Sequence, residues 1–145
     1  MDEIASAIKA QVKTDLIESG AFQETDFTGE EIPTYQTAKL GDDNFHLPIQ
    51  YNADDLDEAF FLQNQMNVNA DMVVVMKAKD SDKISTVEGY AKSLKDLQVQ
   101  TWEQYLPDQF DKVSKNITRT IGDYVIYITY EDPDKIDNAI MAVIK

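Results

Sequence analysis

The chain of 145 residues contains no cysteine, which excludes disulfide bonds, thiolate nucleophiles and zinc sites built on sulfur. It has a single histidine, His46, and a histidine without an orienting partner makes a poor general base. Its five glycines are scattered singly, so the sequence has no glycine-rich loop of the kind that cradles phosphates. We therefore predict no catalytic residue, no metal site and no bound cofactor, which favours a non-enzymatic role.

Long apolar runs are also missing. No stretch approaches the roughly 18–20 apolar residues that a membrane-spanning helix needs. The sequence opens on an acidic amphipathic segment, Met1–Glu3 and beyond, and not on the basic and then apolar segment of a signal peptide. These features predict either a cytoplasmic protein or a mature form from which a targeting segment has been removed.

Positive charge is scarce. Thirteen basic residues face 27 acidic ones, which gives a net charge of −14. A surface of that charge repels nucleic-acid backbones and anionic lipid head groups, so we predict neither as a partner. The 43% of hydrophobic residues nevertheless indicates a packed globule. The length predicts one domain over residues 1–145.

The spacing of apolar residues predicts the architecture. It predicts helices over residues 3–19, 82–103, 108–115 and from Pro133 onward. It predicts strands over residues 59–68, 71–79, 117–121 and 124–130. Residues 21–53 are irregular, and a loop of that length is often functional. We predict an α+β fold, with a mainly antiparallel sheet of about four strands packed by three to four helices in a single layer on one face.

Four stretches carry a family resemblance. They are Glu3–Lys9, Asn69–Lys77, Tyr105–Phe110 and Gly122–Val125. The Tyr-Leu-Pro-x-Gln-aromatic sequence within the third is the most specific of them. On these stretches the chain resembles a family of uncharacterised bacterial lipoproteins classed as domain of unknown function 4358. Members typically carry a signal peptide and a lipid-modified cysteine ahead of the domain. The resemblance implies a mature extracytoplasmic segment, held at the membrane only through a lipid anchor that this chain does not contain.

Clusters of carboxylates are the main candidates for chemistry. They lie at Asp54–Glu58, at Glu131–Asp137 and at Asp42-Asp43. None matches the spacing of a calcium-binding loop. The first two coincide with predicted helix starts, where acidic residues favour the helix dipole. A pair of catalytic carboxylates, as in a glycosidase, stays open as an alternative because the separation of two carboxylates is set in three dimensions.

Aromatic residues supply the candidate binding surface. Most of them suit core and sheet packing. Trp102 and Tyr105 lie three residues apart at the predicted end of a helix, directly before Pro107. Aromatic side chains that rim a groove recognise ligands through large contact areas. We therefore predict a binding surface at Trp102, Tyr105 and Pro107.

These observations favour one function and leave two alternatives open. We expect a non-enzymatic, extracytoplasmic, lipoprotein-type module that binds a protein, a peptide or a glycan at the cell envelope. The first alternative is a small hydrolase-like or accessory domain that uses carboxylates of the acidic loops. The second is a structural spacer.

Overall fold

The computed structural model describes residues 1–27 and 31–144. In this part of the chain, four α-helices and five strands alternate with three short 3₁₀ helices. The helices are α1 (Asp2–Glu18), α2 (Ile84–Trp102), α3 (Pro107–Ser114) and α4 (Pro133–Ile144). The strands are β1 (Tyr35–Lys39), β2 (Leu56–Asn64), β3 (Met72–Ala78), β4 (Ile117–Ile121) and β5 (Tyr124–Thr129).

The five strands form one antiparallel sheet in the order β1-β2-β3-β5-β4. The chain leaves β3 through α2 and α3, enters the sheet again at the edge strand β4, and returns as β5 between β4 and β3. The last step is a tight hairpin in which Gly122 takes a φ of 57°, a conformation that glycine adopts readily.

The register defines two ends of the sheet. Tyr35 pairs with Asn64, and Met72 pairs with Thr129. The start of β1, the end of β2, the start of β3 and the end of β5 therefore meet at one end, which we call the β2–β3 end. The hairpin between β4 and β5 marks the opposite end, which we call the β4–β5 end.

Helices cover both faces of the sheet. Val73 and Val75 of β3 pack in one core cluster with residues of α1 and α4. Val74 and Met76 point the other way and pack in a second cluster with α2 and the segment that follows β1. The α+β fold is confirmed, but the predicted single layer of helices on one face is wrong. The physical reason is the unbroken apolar run of β3, which needs a cover on both sides.

The prediction of four strands missed β1. This strand is short, and apolar residues do not alternate in its sequence, Tyr-Gln-Thr-Ala-Lys. Ala38 is its one buried residue. β2 also begins and ends earlier than predicted, since the exposed Met66 and Val68 belong to the turn that follows it. Residues 28–30 of the predicted irregular loop lie outside the described residues.

Candidate functional site

An open hollow of about 480 Å³ lies at the β2–β3 end. Its walls come from the last turns of α1, the start of β1, the β2–β3 connection and the segment between β5 and α4. Five acidic residues line it: Asp15, Glu18, Asp71, Glu131 and Asp132. Two tyrosines, Tyr35 and Tyr130, and one lysine, Lys135, line it as well.

Two tyrosine–aspartate pairs fix the polar groups of this hollow. The Tyr35 hydroxyl donates to Oδ2 of Asp71 over 2.6 Å. The Tyr130 hydroxyl donates to Oδ2 of Asp15 over 2.7 Å. Both pairs join elements that are far apart in the sequence, and hydrogen bonds to a charged group are among the stronger ones in proteins. The hollow therefore has a rigid lining.

A lysine approaches the second oxygen of each carboxylate. Lys112 Nζ donates to Oδ1 of Asp71 over 2.9 Å, and both side chains are nearly buried. Lys135 Nζ lies 3.5 Å from Oδ1 of Asp15 at the mouth of the hollow. Each aspartate is thus held between a tyrosine hydroxyl and an ammonium group.

The tyrosine hydroxyls are held in their protonated form. Burial, and then the charge of the Asp71 carboxylate, raise the pKa of Tyr35 far above its ordinary value. Burial and the hydrogen bond to Asp15 raise the pKa of Tyr130 in the same direction. At neutral pH both hydroxyls therefore remain neutral donors. Both hydroxyls already donate their protons in hydrogen bonds to the carboxylates. This arrangement suits a fixed binding wall better than proton transfer.

The β2–β3 connection is held in place from α2 and α3. Gln109 Oε1 accepts from the Ala70 amide over 2.8 Å, and Gln98 Nε2 donates to the Ala70 carbonyl over 2.9 Å. Oε1 of Gln98 accepts from the hydroxyls of Tyr127 and Thr129, each over 2.6 Å. Buried polar groups stabilise only when they are satisfied, as Gln98 is. Two of the stretches that carry the family resemblance, around Asn69–Lys77 and Tyr105–Phe110, contact each other here.

The predicted surface of Trp102, Tyr105 and Pro107 lies at the junction between α2 and α3. Trp102 is only 7% exposed and packs with Ala70 and Val113. Tyr105 is 52% exposed, and its ring centroid lies 5.6 Å from that of Trp102. Pro107 is exposed at the first position of α3. Tyr105 and Pro107 are thus exposed, while Trp102 is buried and its ring lies next to that of Tyr105.

The other residues considered from sequence lie elsewhere. His46 is exposed in the loop after β1. The carboxylates of the first cluster have different partners: Asp55 bonds to Tyr90 and Lys83, and Asp57 pairs with Lys77. Asp42 accepts from the Lys39 amide in a turn. Of the predicted clusters, the part that reaches the hollow is Glu131 and Asp132, at the start of the second.

Sequence reasoning missed Asp15, Asp71, Tyr35 and Tyr130 as site residues. Two indirect signals were available. Tyr35 lies in the irregular segment whose length is typical of a functional loop, and Asp71 lies in a stretch that carries the family resemblance. Nothing in the sequence links Asp15 to Tyr130, which is 115 positions away.

Two further properties concern residues 1–27 and 31–144. None of the helices there is both long and apolar enough to cross a membrane. No group of three or more histidine, cysteine or acidic side chains in these ranges is placed to hold a metal ion.

A comparison with protein families gives one match. The family described as Domain of unknown function (DUF4358) matches residues 31–130, which is more than two thirds of the chain. The match runs from just before β1 to just after β5 and includes three of the four stretches that carry the resemblance. α1 and α4 lie outside it. No curated protein and no solved structure matches the chain.

Proposed function

We propose that this chain, which belongs to the family Domain of unknown function (DUF4358), is a non-enzymatic binding module that works outside the cytoplasm at the cell envelope. The ligand is a peptide, a protein segment or a glycan, and it occupies the hollow at the β2–β3 end. The family resemblance supports the proposal of an extracytoplasmic location and a lipid anchor.

The observation that carries this proposal is the pair of fixed tyrosine–aspartate contacts in the hollow. The volume of about 480 Å³ falls within the range of small-ligand sites, roughly 300–1,000 Å³. Tyr35 and Tyr130 supply aromatic surface, while Asp15 and Asp71 hold the two tyrosine rings in place through partly buried hydrogen bonds. Such a lining is preorganised, which lowers the entropy cost of binding.

The lining also suggests the polar character of the ligand. Five carboxylates and one lysine surround the hollow, so hydrogen-bond acceptors and negative charge dominate. A ligand that donates hydrogen bonds satisfies these groups best. Peptide amino groups, lysine side chains and sugar hydroxyls all meet that condition.

A thermal-shift screen tests the proposal. The purified domain would be heated with peptidoglycan fragments, neutral glycans and short peptides, each in a concentration series. Binding to the folded state raises stability by RT ln(1 + [L]/Kd), about 2.7 kcal/mol at a hundredfold excess over Kd. We expect a saturable rise in Tm with one of these ligand classes.

Two matched variants locate the binding. Ser19 is exposed and lines the hollow, so Ser19→Trp would fill it without touching the tyrosine–aspartate pairs. Ser81 is exposed at the β4–β5 end, so Ser81→Trp places the same side chain far from the hollow. We expect Ser19→Trp to abolish the ligand-dependent shift and Ser81→Trp to retain it. A shift that survives in both variants, or no shift with any class, would contradict the proposal.

The proposed location has its own test. In cells, the full-length native protein would be fractionated, and its accessibility to protease added outside the membrane would be followed. We expect it in the membrane fraction and exposed on the extracytoplasmic side. Recovery in the cytosolic fraction would overturn the location while leaving the hollow as a binding site.

One observation favours the second candidate, an enzyme that uses carboxylates. The acidic residues of the hollow, including Glu131 and Asp132, converge on one space. A carboxylate pair with one protonated member is the working arrangement of many glycosidases. Turnover of peptidoglycan or chromogenic glycosides that disappears in Asp71→Asn would favour this candidate over binding alone.

A further inference from the structure

A second surface stands out because apolar side chains are exposed on it. In the described part of the chain, the large hydrophobic residues with substantial exposure are Met66, Val68 and Tyr105, each about half exposed. An exposed aromatic residue with apolar neighbours is typical of a protein contact. With Trp102 beneath Tyr105, we call these residues the Tyr105 patch.

The members of the Tyr105 patch share the β2–β3 end. Met66 and Val68 lie in the turn between β2 and β3, and the Met66 carbonyl accepts from the Asn69 amide. Asn69 and Ala70 are bonded to Lys112 and Gln109 of α3. Ala70 packs in one cluster with Trp102. The turn and the α2–α3 junction are thus joined by direct contacts.

Acidic residues border the Tyr105 patch, and the two chain segments that form it contain no basic residue. Glu103, Asp108 and Asp111 are exposed along the junction and the first turns of α3. Neither residues 96–111 nor residues 63–76 contain a lysine or an arginine. Lys112 follows directly, but its side chain is nearly buried and paired with Asp71. An apolar patch beside unneutralised acids is therefore complementary to apolar and basic side chains.

We propose that the Tyr105 patch docks a partner protein through a segment in which basic side chains flank an apolar one. The apolar side chain lies against Tyr105, Met66 and Val68, and the basic groups meet Glu103 and Asp108. The net charge of −14 also steers a basic partner toward the chain over longer distances. The Tyr105 patch shares no residue with the lining of the hollow. Either of the two proposals can therefore fail without the other.

The same charge argues against two other occupants. A second copy of the chain would bring two acidic margins together, which disfavours association. An anionic membrane surface is repelled for the same reason.

Trp102 gives a direct readout of docking, because it is the only tryptophan and lies beneath Tyr105. The probe is a short capped peptide in which lysines alternate with leucines, and its counterpart carries glutamates in place of the lysines. We expect a saturable change in Trp102 fluorescence with the lysine peptide and none with the glutamate peptide. The affinity should fall as salt is raised, since exposed charges are screened.

Charge-reversal variants distinguish binding at the Tyr105 patch from general attraction between the acidic chain and a basic peptide. Glu103→Lys changes a charge beside Tyr105 at the end of α2, where a lysine suits the helix dipole and the fold is preserved. Asp43→Lys makes the same change in net charge in the exposed loop after β1, which contributes no residue to the patch. We expect Glu103→Lys to weaken the peptide roughly fivefold and Asp43→Lys to have little effect. Tyr105→Ala should weaken it roughly tenfold or more.

Five outcomes would overturn the proposal. Equal weakening by Glu103→Lys and Asp43→Lys would reduce the interaction to general charge attraction. Unchanged affinity in Tyr105→Ala, or no saturable signal, would remove the patch as a docking site. A dimer in sedimentation experiments that Tyr105→Ala dissociates would assign the surface to a second copy. Binding to lipid vesicles that exceeds binding to the peptide would assign it to a membrane.

Discussion

Each end of the sheet holds an aspartate between a tyrosine and a lysine, but the two arrangements differ in burial. At the β2–β3 end, Asp71 bonds to Tyr35 and Lys112 over 2.6 and 2.9 Å. At the β4–β5 end, Asp55 accepts from Tyr90 over 2.6 Å and lies 3.2 Å from a lysine, Lys83. The Lys112 side chain is 10% exposed, and that of Lys83 is 44% exposed.

The comparison shows that the same three types of residue, an aspartate, a tyrosine and a lysine, serve different purposes in different surroundings. Near water, the lysine–aspartate pair is screened and contributes little to stability. In the interior, each charge depends on its partner because water cannot replace it. The buried arrangement fixes the wall of the hollow and the turn that carries part of the Tyr105 patch. The more exposed arrangement joins Asp55, directly before β2, to Tyr90 of α2 and to Lys83.

The largest expected effect comes from removing the buried lysine. Lys112→Met keeps the length of the side chain but leaves the Asp71 carboxylate buried without its counter-charge. We expect this variant to lose about 3–5 kcal/mol in the free energy of unfolding. Lys83→Met, its matched control at the other end, should lose much less, since an ion pair with a partly exposed lysine is screened by water. Chemical denaturation of both proteins measures the difference, and equal losses would remove the distinction between the two ends.

A loss of similar size is expected for the tryptophan beneath the Tyr105 patch. Trp102→Ala would open a cavity between Ala70 and Val113, at a cost of about 3–5 kcal/mol in the free energy of unfolding. Tyr105→Ala removes a half-exposed ring and should cost much less. Denaturant titrations of the two variants test this, and a near-neutral Trp102→Ala would show that Trp102 belongs to the surface and not to the core.

A smaller effect is expected for the buried tyrosine hydroxyl. Tyr35→Phe removes one donor to Asp71 while Lys112 stays in place, which should cost about 1.5–3 kcal/mol. Tyr90→Phe removes the equivalent donor to the more exposed Asp55 and should cost less. The ranking is read from urea midpoints, and a larger loss in Tyr90→Phe would reverse the comparison.

A still smaller effect is expected on stability at alkaline pH. The pKa values of Tyr35 and Tyr130 are raised in the folded protein, so folding favours their protonated form. Their contribution is therefore complete below the ordinary tyrosine pKa of about 10 and declines as the pH rises above it. We expect Tm to fall above pH 10, and to fall less steeply in Tyr35→Phe and Tyr130→Phe. An unchanged slope in both variants would contradict the assignment.

Part of the loss of stability at acidic pH should come from Asp55 at the β4–β5 end. The hydrogen bond from Tyr90, and then Lys83, lower the pKa of Asp55. A lowered carboxyl pKa gives stability that is present above the ordinary value of 3.8 and is lost as the pH falls through the folded value. The fall in Tm below pH 4 should be shallower in Lys83→Met. An identical fall in Tm in the variant would show that Lys83 does not help to lower the pKa of Asp55.

Local patterns predicted most of the elements well. The four-residue spacing of Ile4, Ile8 and Val12 predicted α1, and these side chains are buried in the structure. The alternation in β5 placed Ile126 and Val125 on opposite faces, as observed. β1 was not predicted because it is short and polar. It is a strand because it pairs with β2 and not because of its own sequence pattern.

The sequence by itself determined the helices, the β4–β5 hairpin, the central position of β3, the family and the excess of negative charge. These features are set by short-range spacing and composition, which act within a few residues. The tertiary structure alone decided that helices cover both faces and that Tyr35 meets Asp71 and Tyr130 meets Asp15, across 36 and 115 positions. The physical reason is that strand register and helix packing fix which distant side chains become neighbours, and no local pattern carries that information.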